Sequence, residues 1–239
     1  MMNTVLFDLD GTLLPMDMEL FTKIYFKELG EFFADLIDPI ELVSFVLAAT
    51  VEMIKNTEDR SNEEVFTAKF GKLIESRGEL EIFQERFDKF YDTVFAETKN
   101  AIIEMPFMQR SVVLLREKGY QLVIATNPIF PLKAIEHRIR WSGFEPSDFS
   151  YISYFEKSHY CKPQIKFYEE VLRDIGKKPG ECLMVGNDVQ EDVIAGKLGI
   201  ETYLITNQLL HRTEEEIKAD HIGTYEDFYS FVQGLPKAE

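Results

Sequence analysis

Short apolar runs recur along this chain, each closed by polar residues or glycine: 4–8, 121–126, 149–155, 182–186 and 201–206. Runs that are apolar throughout, rather than alternating, suit strands buried on both faces of a parallel sheet. Between the later runs the apolar positions change to helical spacing. Residues 107–118 place Met108, Val112 and Leu115 on one face and meet Gly119 as a C-terminal stop. Residues 165–175, 192–198 and a stretch near 133–141 read as helices in the same way. Strand alternating with helix predicts an α/β fold: a Rossmann-like parallel sheet flanked by helices and joined by right-handed crossovers.

Residues 16–100 break this rhythm. They hold no convincing strand and about four amphipathic helices. The first runs over 19–36 with Leu20, Ile24, Leu29, Phe32 and Phe33 on its apolar face. A second begins at Asp38-Pro39, a capping residue followed by proline in the first turn. A third opens at Ser61 with Glu64 three residues on, the pattern of a capping box. The fourth covers 80–96 and is rich in Phe and Tyr. A strand at 4–8 standing ahead of these helices predicts an inserted all-α domain at 16–100, with 1–15 and 101–239 forming the α/β core. The competing arrangement, a separate helical domain preceding the sheet, would leave that first strand alone.

Composition narrows the class. At 239 residues with 45% apolar positions, including 20 Phe and 10 Tyr, the chain can bury a large core. A net charge of −16 repels nucleic acid and anionic membranes, so neither is an expected partner. No apolar run approaches the roughly 18 residues of a membrane span. The strand-like start argues against a leader segment. Cys161 and Cys182 form no CxxC pair, which suits reduced thiols and a cytoplasmic setting. The same acidity means that an anionic substrate needs locally placed positive charge.

Candidate chemistry concentrates at Asp8-Leu9-Asp10-Gly11-Thr12-Leu13, directly after the first strand. Alternation along the strand lets Asp8 and Asp10 point the same way. Two such carboxylates repel unless a cation or shared proton relieves them. Gly11 permits a sharp turn and close approach of a ligand to main-chain N–H groups, with Thr12 beside it as a second substrate-binding candidate.

An apolar strand followed by DxDGT resembles the first motif of the haloacid dehalogenase-like (HAD) hydrolases. The rest of the chain is similar to that family in order. Val123-Ile124-Ala125-Thr126-Asn127 looks like its second motif, Lys162 in Cys161-Lys162-Pro163-Gln164 its third, and Gly186-Asn187-Asp188-Val189-Gln190-Glu191-Asp192 its acidic fourth. The resemblance implies Asp8 as nucleophile and Asp10 as general acid/base. It implies Thr126 and the Asn127 N–H as phosphoryl ligands and Lys162 as the stabilising ammonium. It also implies Mg2+ held by Asp8, the Asp10 carbonyl and an acid of the fourth motif. Family members that cleave carbon–halogen bonds lack a carboxylate at the second Asp, so Asp10 favours phosphoryl transfer. The family usually has Asp straight after the glycine, where this chain has Asn187. Asp188 is the favoured metal ligand, since magnesium prefers anionic oxygen, with Asn187 and Asp192 as alternates. The inserted helices stand where relatives carry a cap, which implies a small phosphorylated metabolite as substrate and a phosphatase as function. A phosphomutase, a catalytically silent binding protein and, more remotely, a phosphorylatable receiver domain are the competing readings. Oligomeric state is not legible.

Overall fold

The computed structural model describes residues 1–238. Six parallel strands form one sheet: β1 (Thr4–Phe7), β2 (Gln121–Ile124), β3 (Tyr151–Ile152), β4 (Cys182–Gly186), β5 (Glu201–Ile205) and β6 (His221–Gly223), in the order β3-β2-β1-β4-β5-β6. The expected α/β sheet is present. All four residues of β1 are buried, as a central strand covered on both faces requires. β1 pairs with β2 on one side and with β4 on the other. The chain reverses direction across the sheet there, and such a switch point opens a crevice at the strands' C-terminal ends. Residues 149–155, expected as a long strand, yield only two paired residues, because β3 is an edge strand and its chain turns away at Ser153. β6 gave no apolar run long enough to be read.

The helices follow their local signals. Between β1 and β2 lie α1 (Met18–Phe32), α2 (Pro39–Ile54), α3 (Asn62–Ile74), α4 (Leu80–Asp92) and a 3-10 segment at Val94–Ala101. Asp38 caps α2 through the N–H groups of Ile40 and Glu41. Ser61 and Glu64 form a reciprocal capping box on α3. α1 stops at Phe32, short of the expected 36, and α4 gives way to the 3-10 segment. The remaining helices are α5 (Pro106–Glu117), α6 (Leu132–Trp141), α7 (Ile165–Ile175) and α8 (Tyr225–Gly234). Residues 192–198, expected as α-helix, form a 3-10 helix at Val193–Leu198.

The chain enters and leaves the helical block through a narrow neck. The Asp17 N–H donates to the Ala101 carbonyl, and the Ile103 N–H donates to Pro15. Inside the block, rings supply most of the packing: Tyr25 touches Phe21, Phe90 and Phe95, and meets Phe130 of the loop after β2 at 5.4 Å between centroids. One continuous apolar core thus runs from the sheet into the helices. Among the described residues no helix is long and apolar enough to cross a membrane.

Candidate active site

Every candidate site residue stands on a loop leaving β1, β2 or β4, or on the Lys162 segment ahead of α7. Asp8 follows β1 directly, its N–H donating to the Val185 carbonyl. The turn after it needs Gly11, whose φ is +78° and whose missing Cβ would lie 2.5 Å from Asn187 Nδ2. Tyr225 at the start of α8 donates its hydroxyl to the Gly11 carbonyl at 2.6 Å, pinning the loop. Thr12 donates to Asn187 Oδ1 at 3.0 Å, tying the β1 loop to the β4 loop.

Lys162 is the electrostatic centre. Its ammonium is buried and donates to Asp8 Oδ1 at 3.0 Å and to Asp192 Oδ1 at 2.6 Å. Burial opposes the ammonium charge, but Asp192 and Asp8 outweigh it and hold the Lys162 pKa well above its ordinary value. For Asp192, burial is the largest influence and raises the carboxyl, while Lys162 pulls against it. Asp192 reaches this position because β4 ends in Gly186; a Cβ there would sit 2.0 Å from Asp192 Oδ2. Asn127 braces the surroundings: its Oδ1 accepts the Lys162 N–H, and its Nδ2 donates to Glu191. Thr126 is buried at the end of β2, where its carbonyl accepts the Ser153 hydroxyl at 2.6 Å.

Asp10 has a different partner. Arg138 of α6 is 1% exposed and forms an ion pair with Asp10 Oδ2. The guanidinium lies 4.4 Å from the Phe130 ring centroid and 6.0 Å from that of Phe21 in α1. Burial raises the Asp10 carboxyl above its ordinary value; Arg138 opposes this and the charge of Asp8 adds to it. Arg138 escaped the sequence reading. The one available signal was an arginine on the apolar stripe of α6, between Ile135 and Ile139. Tyr225 carried no signal at all.

The fourth-motif residues separate. Asp188 accepts the N–H groups of Gln190 and Glu191 through Oδ1 and pairs with Arg212 at 2.6 Å through Oδ2. Its carboxylate is engaged by its own loop and by Arg212, and among the described residues no contact joins it to Asp8. Asn187 and Asp192, by contrast, contact Thr12 and Lys162. Among the described residues, no three His, Cys, Asp or Glu side chains converge as a preformed metal cage. Two carboxyl oxygens nevertheless lack donors. Asp10 Oδ1 is buried without a partner, and no hydrogen bond to a described residue reaches Asp8 Oδ2. Magnesium is usually held by one or two carboxylates plus substrate phosphate and water. The residues present fit such an ion.

A family model described as haloacid dehalogenase-like hydrolase matches residues 2–199, spanning β1, the helical block and the whole strand-end cluster. The chain belongs to that family. Among curated relatives of this HAD hydrolase is a glyceraldehyde 3-phosphate phosphatase from Methanothermobacter thermautotrophicus. It is 29% identical over 157 residues, which cover 59% of this chain and 66% of that protein. The pyrophosphatase PpaX of Anoxybacillus flavithermus is 26% identical over 94% of this chain and 89% of its own. A solved HAD phosphatase from Thermococcus onnurineus shares the fold, with a TM-score of 0.63 at 19% identity over 99% of this chain and 100% of its own. The helical block, the motif order and the sheet therefore stand in a hydrolase fold.

Proposed function

We propose that this HAD hydrolase is a phosphatase that cleaves a small phosphate ester through a phosphorylated Asp8, with residues 16–100 as its cap and 1–15 plus 101–239 as its core. The observation that carries this reading is the buried Lys162 ammonium bridging Asp8 and Asp192. A phosphate ester arriving as a dianion would meet the anionic Asp8. The ammonium offsets that repulsion without blocking attack, because it engages only one oxygen of Asp8 and leaves Oδ2 to approach phosphorus. Bound magnesium, which Asp8, the Asp10 carbonyl and Asn187 would hold, would supply further positive charge to the phosphate oxygens. In this reading Asn187 takes the ligand position and Asp188 braces the loop. Asp192 holds Lys162.

The residues then divide the work. Asp8 Oδ2 attacks phosphorus in line while the ester P–O bond breaks, and Asp10 gives its proton to the departing alkoxide. Thr126 and the backbone N–H groups of the β1 and β2 loops hold the transferring oxygens. Asp10, now ionised, takes a proton from water; that water attacks the aspartyl-phosphate, releasing inorganic phosphate and restoring Asp8. Arg138 steers Asp10 in both halves by fixing one carboxylate oxygen and leaving the other unpaired. A carboxylate at this position serves an alcohol leaving group and has no use in halide release.

The test is phosphate release from a generic aryl phosphate, measured with magnesium and again with excess chelator. Release that needs the metal supports the reading. No release with magnesium, manganese or cobalt across common phosphate esters overturns it.

A further inference from the structure

A cavity of about 540 Å³ lies between the helical block and the sheet domain, outside the strand-end cluster. Its volume is that of a small-molecule site. Tyr25, Phe66, Phe87, Tyr91, Tyr154 and Phe155 line it from both sides. Four acids stand on its wall, Glu63, Asp88, Glu136 and Glu156, against one lysine. That lysine, Lys133, is already paired with Asp88 and Asp92, and Glu136 pairs with Arg140. Glu63 and Glu156 have no basic partner among the described residues. They stand close enough that the charge of Glu63 adds to the burial that raises the Glu156 carboxyl. Glu156 accepts the Leu132 N–H at 3.0 Å, which leaves its charge unneutralised. Two carboxylates without a basic partner, in a cavity lined by aromatic rings, are the chemistry that holds an organic ammonium, which gains from ring quadrupoles and counter-charge together. An anion would be repelled.

We propose that this cavity binds an organic cation: a primary or quaternary ammonium on a small apolar skeleton, seated between Glu63 and Glu156. The cavity is joined to the strand-end cluster. Ile129 and Pro131 on its wall continue the loop from Asn127, and Phe130 touches Tyr25 on one hand and Arg138, the partner of Asp10, on the other. The ammonium belongs either to the alcohol part of the ester or to a free amine that loads the seam. Binding itself is independent of the phosphatase reading; only the first of these sources rests on it.

Choline and its uncharged isostere 3,3-dimethylbutan-1-ol, titrated calorimetrically into the full-length protein, test the site. Choline binds at least about tenfold more tightly than the isostere, and the double variant Glu63→Gln/Glu156→Gln removes the preference. Both side chains are exposed at the rim, so the variant folds, which its thermal melt verifies. Equal affinities in the unsubstituted protein, or an unchanged preference in the variant, overturn the proposal. A turnover arm compares phosphocholine with 3,3-dimethylbutyl phosphate. Faster cleavage of phosphocholine, lost in the double variant, assigns the ammonium to the substrate. Equal cleavage, with choline alone shifting the rate on an aryl phosphate, assigns it to a free amine. Bound choline with no phosphate release from either ester, from the aryl phosphate or from the other common phosphate esters supports the site and overturns the phosphatase reading alone.

Discussion

Acidic side chains crowd two places in this molecule and meet opposite circumstances. At the strand ends Asp8, Asp192 and Asp10 are each given a buried cation, Lys162 or Arg138. At the seam under the helical block, Glu63 and Glu156 face a cavity whose one lysine, Lys133, is paired with Asp88 and Asp92 instead. A buried carboxylate without a counter-charge is costly, so the protein supplies one where the ligand is itself an anion. Where the acids remain at a wetted rim, solvent tolerates them and the counter-charge is left to come with a ligand.

That contrast breaks most visibly at the nucleophile. Asp8→Asn keeps the shape and removes the attacking oxygen, and phosphate release falls by at least about 10³-fold with the fold intact by circular dichroism. Removing the cation instead strikes stability: Lys162→Met leaves Asp8 and Asp192 uncompensated and lowers unfolding free energy by about 3–5 kcal/mol in urea denaturation. Arg138→Leu lowers kcat about 10- to 100-fold with little change in KM, because Asp10 loses its orientation rather than the site its substrate. Arg138→Lys recovers only part of this, since an ammonium cannot reproduce the guanidinium packed on Phe130. At the seam, Glu156→Gln alone lowers stability by no more than about 1 kcal/mol, because the amide oxygen can still accept the Leu132 N–H.

The two thiols are the neutral control. Cys161 and Cys182 are buried and free, and burial pushes both up to about 12. Native protein at pH 8 therefore reacts slowly with iodoacetamide and fast once unfolded. The sign at high pH follows: a folded pKa raised above the unfolded value gives stability that is complete below about pH 9. That stability is lost as the pH rises towards 12. Urea midpoints measured across that window check it.

The sheet was legible because buried parallel strands are apolar throughout, and the capped helices because Asp38, Ser61 and Glu64 act within one turn of their own backbone. Asp8, Lys162 and Asp192 could be named from motif spacing, and the fold brings them into contact. What escaped depends on contacts distant along the chain. Arg138 meets Asp10 across 128 residues, and Tyr225 meets Gly11 across 214. Asp188 was preferred to Asn187 on charge alone, but which way a loop points its side chains is not legible in composition. In the fold the loop's shape comes from the Asp188 N–H donating to Asp192 Oδ2, in the space that Gly186 leaves open.

The clasp between Tyr225 and Gly11 bears on the order in which the molecule is made. β1 leaves the ribosome well before its partners, which arrive with residues 121–124 and 182–185, and the hydroxyl that fixes its loop comes only with residue 225. A nascent chain carries Asp8 long before it can hold it, and non-local pairings of this kind are slow to close. Proteolytic removal of α8 would take away that hydroxyl and unlatch a loop more than 200 residues earlier in the chain.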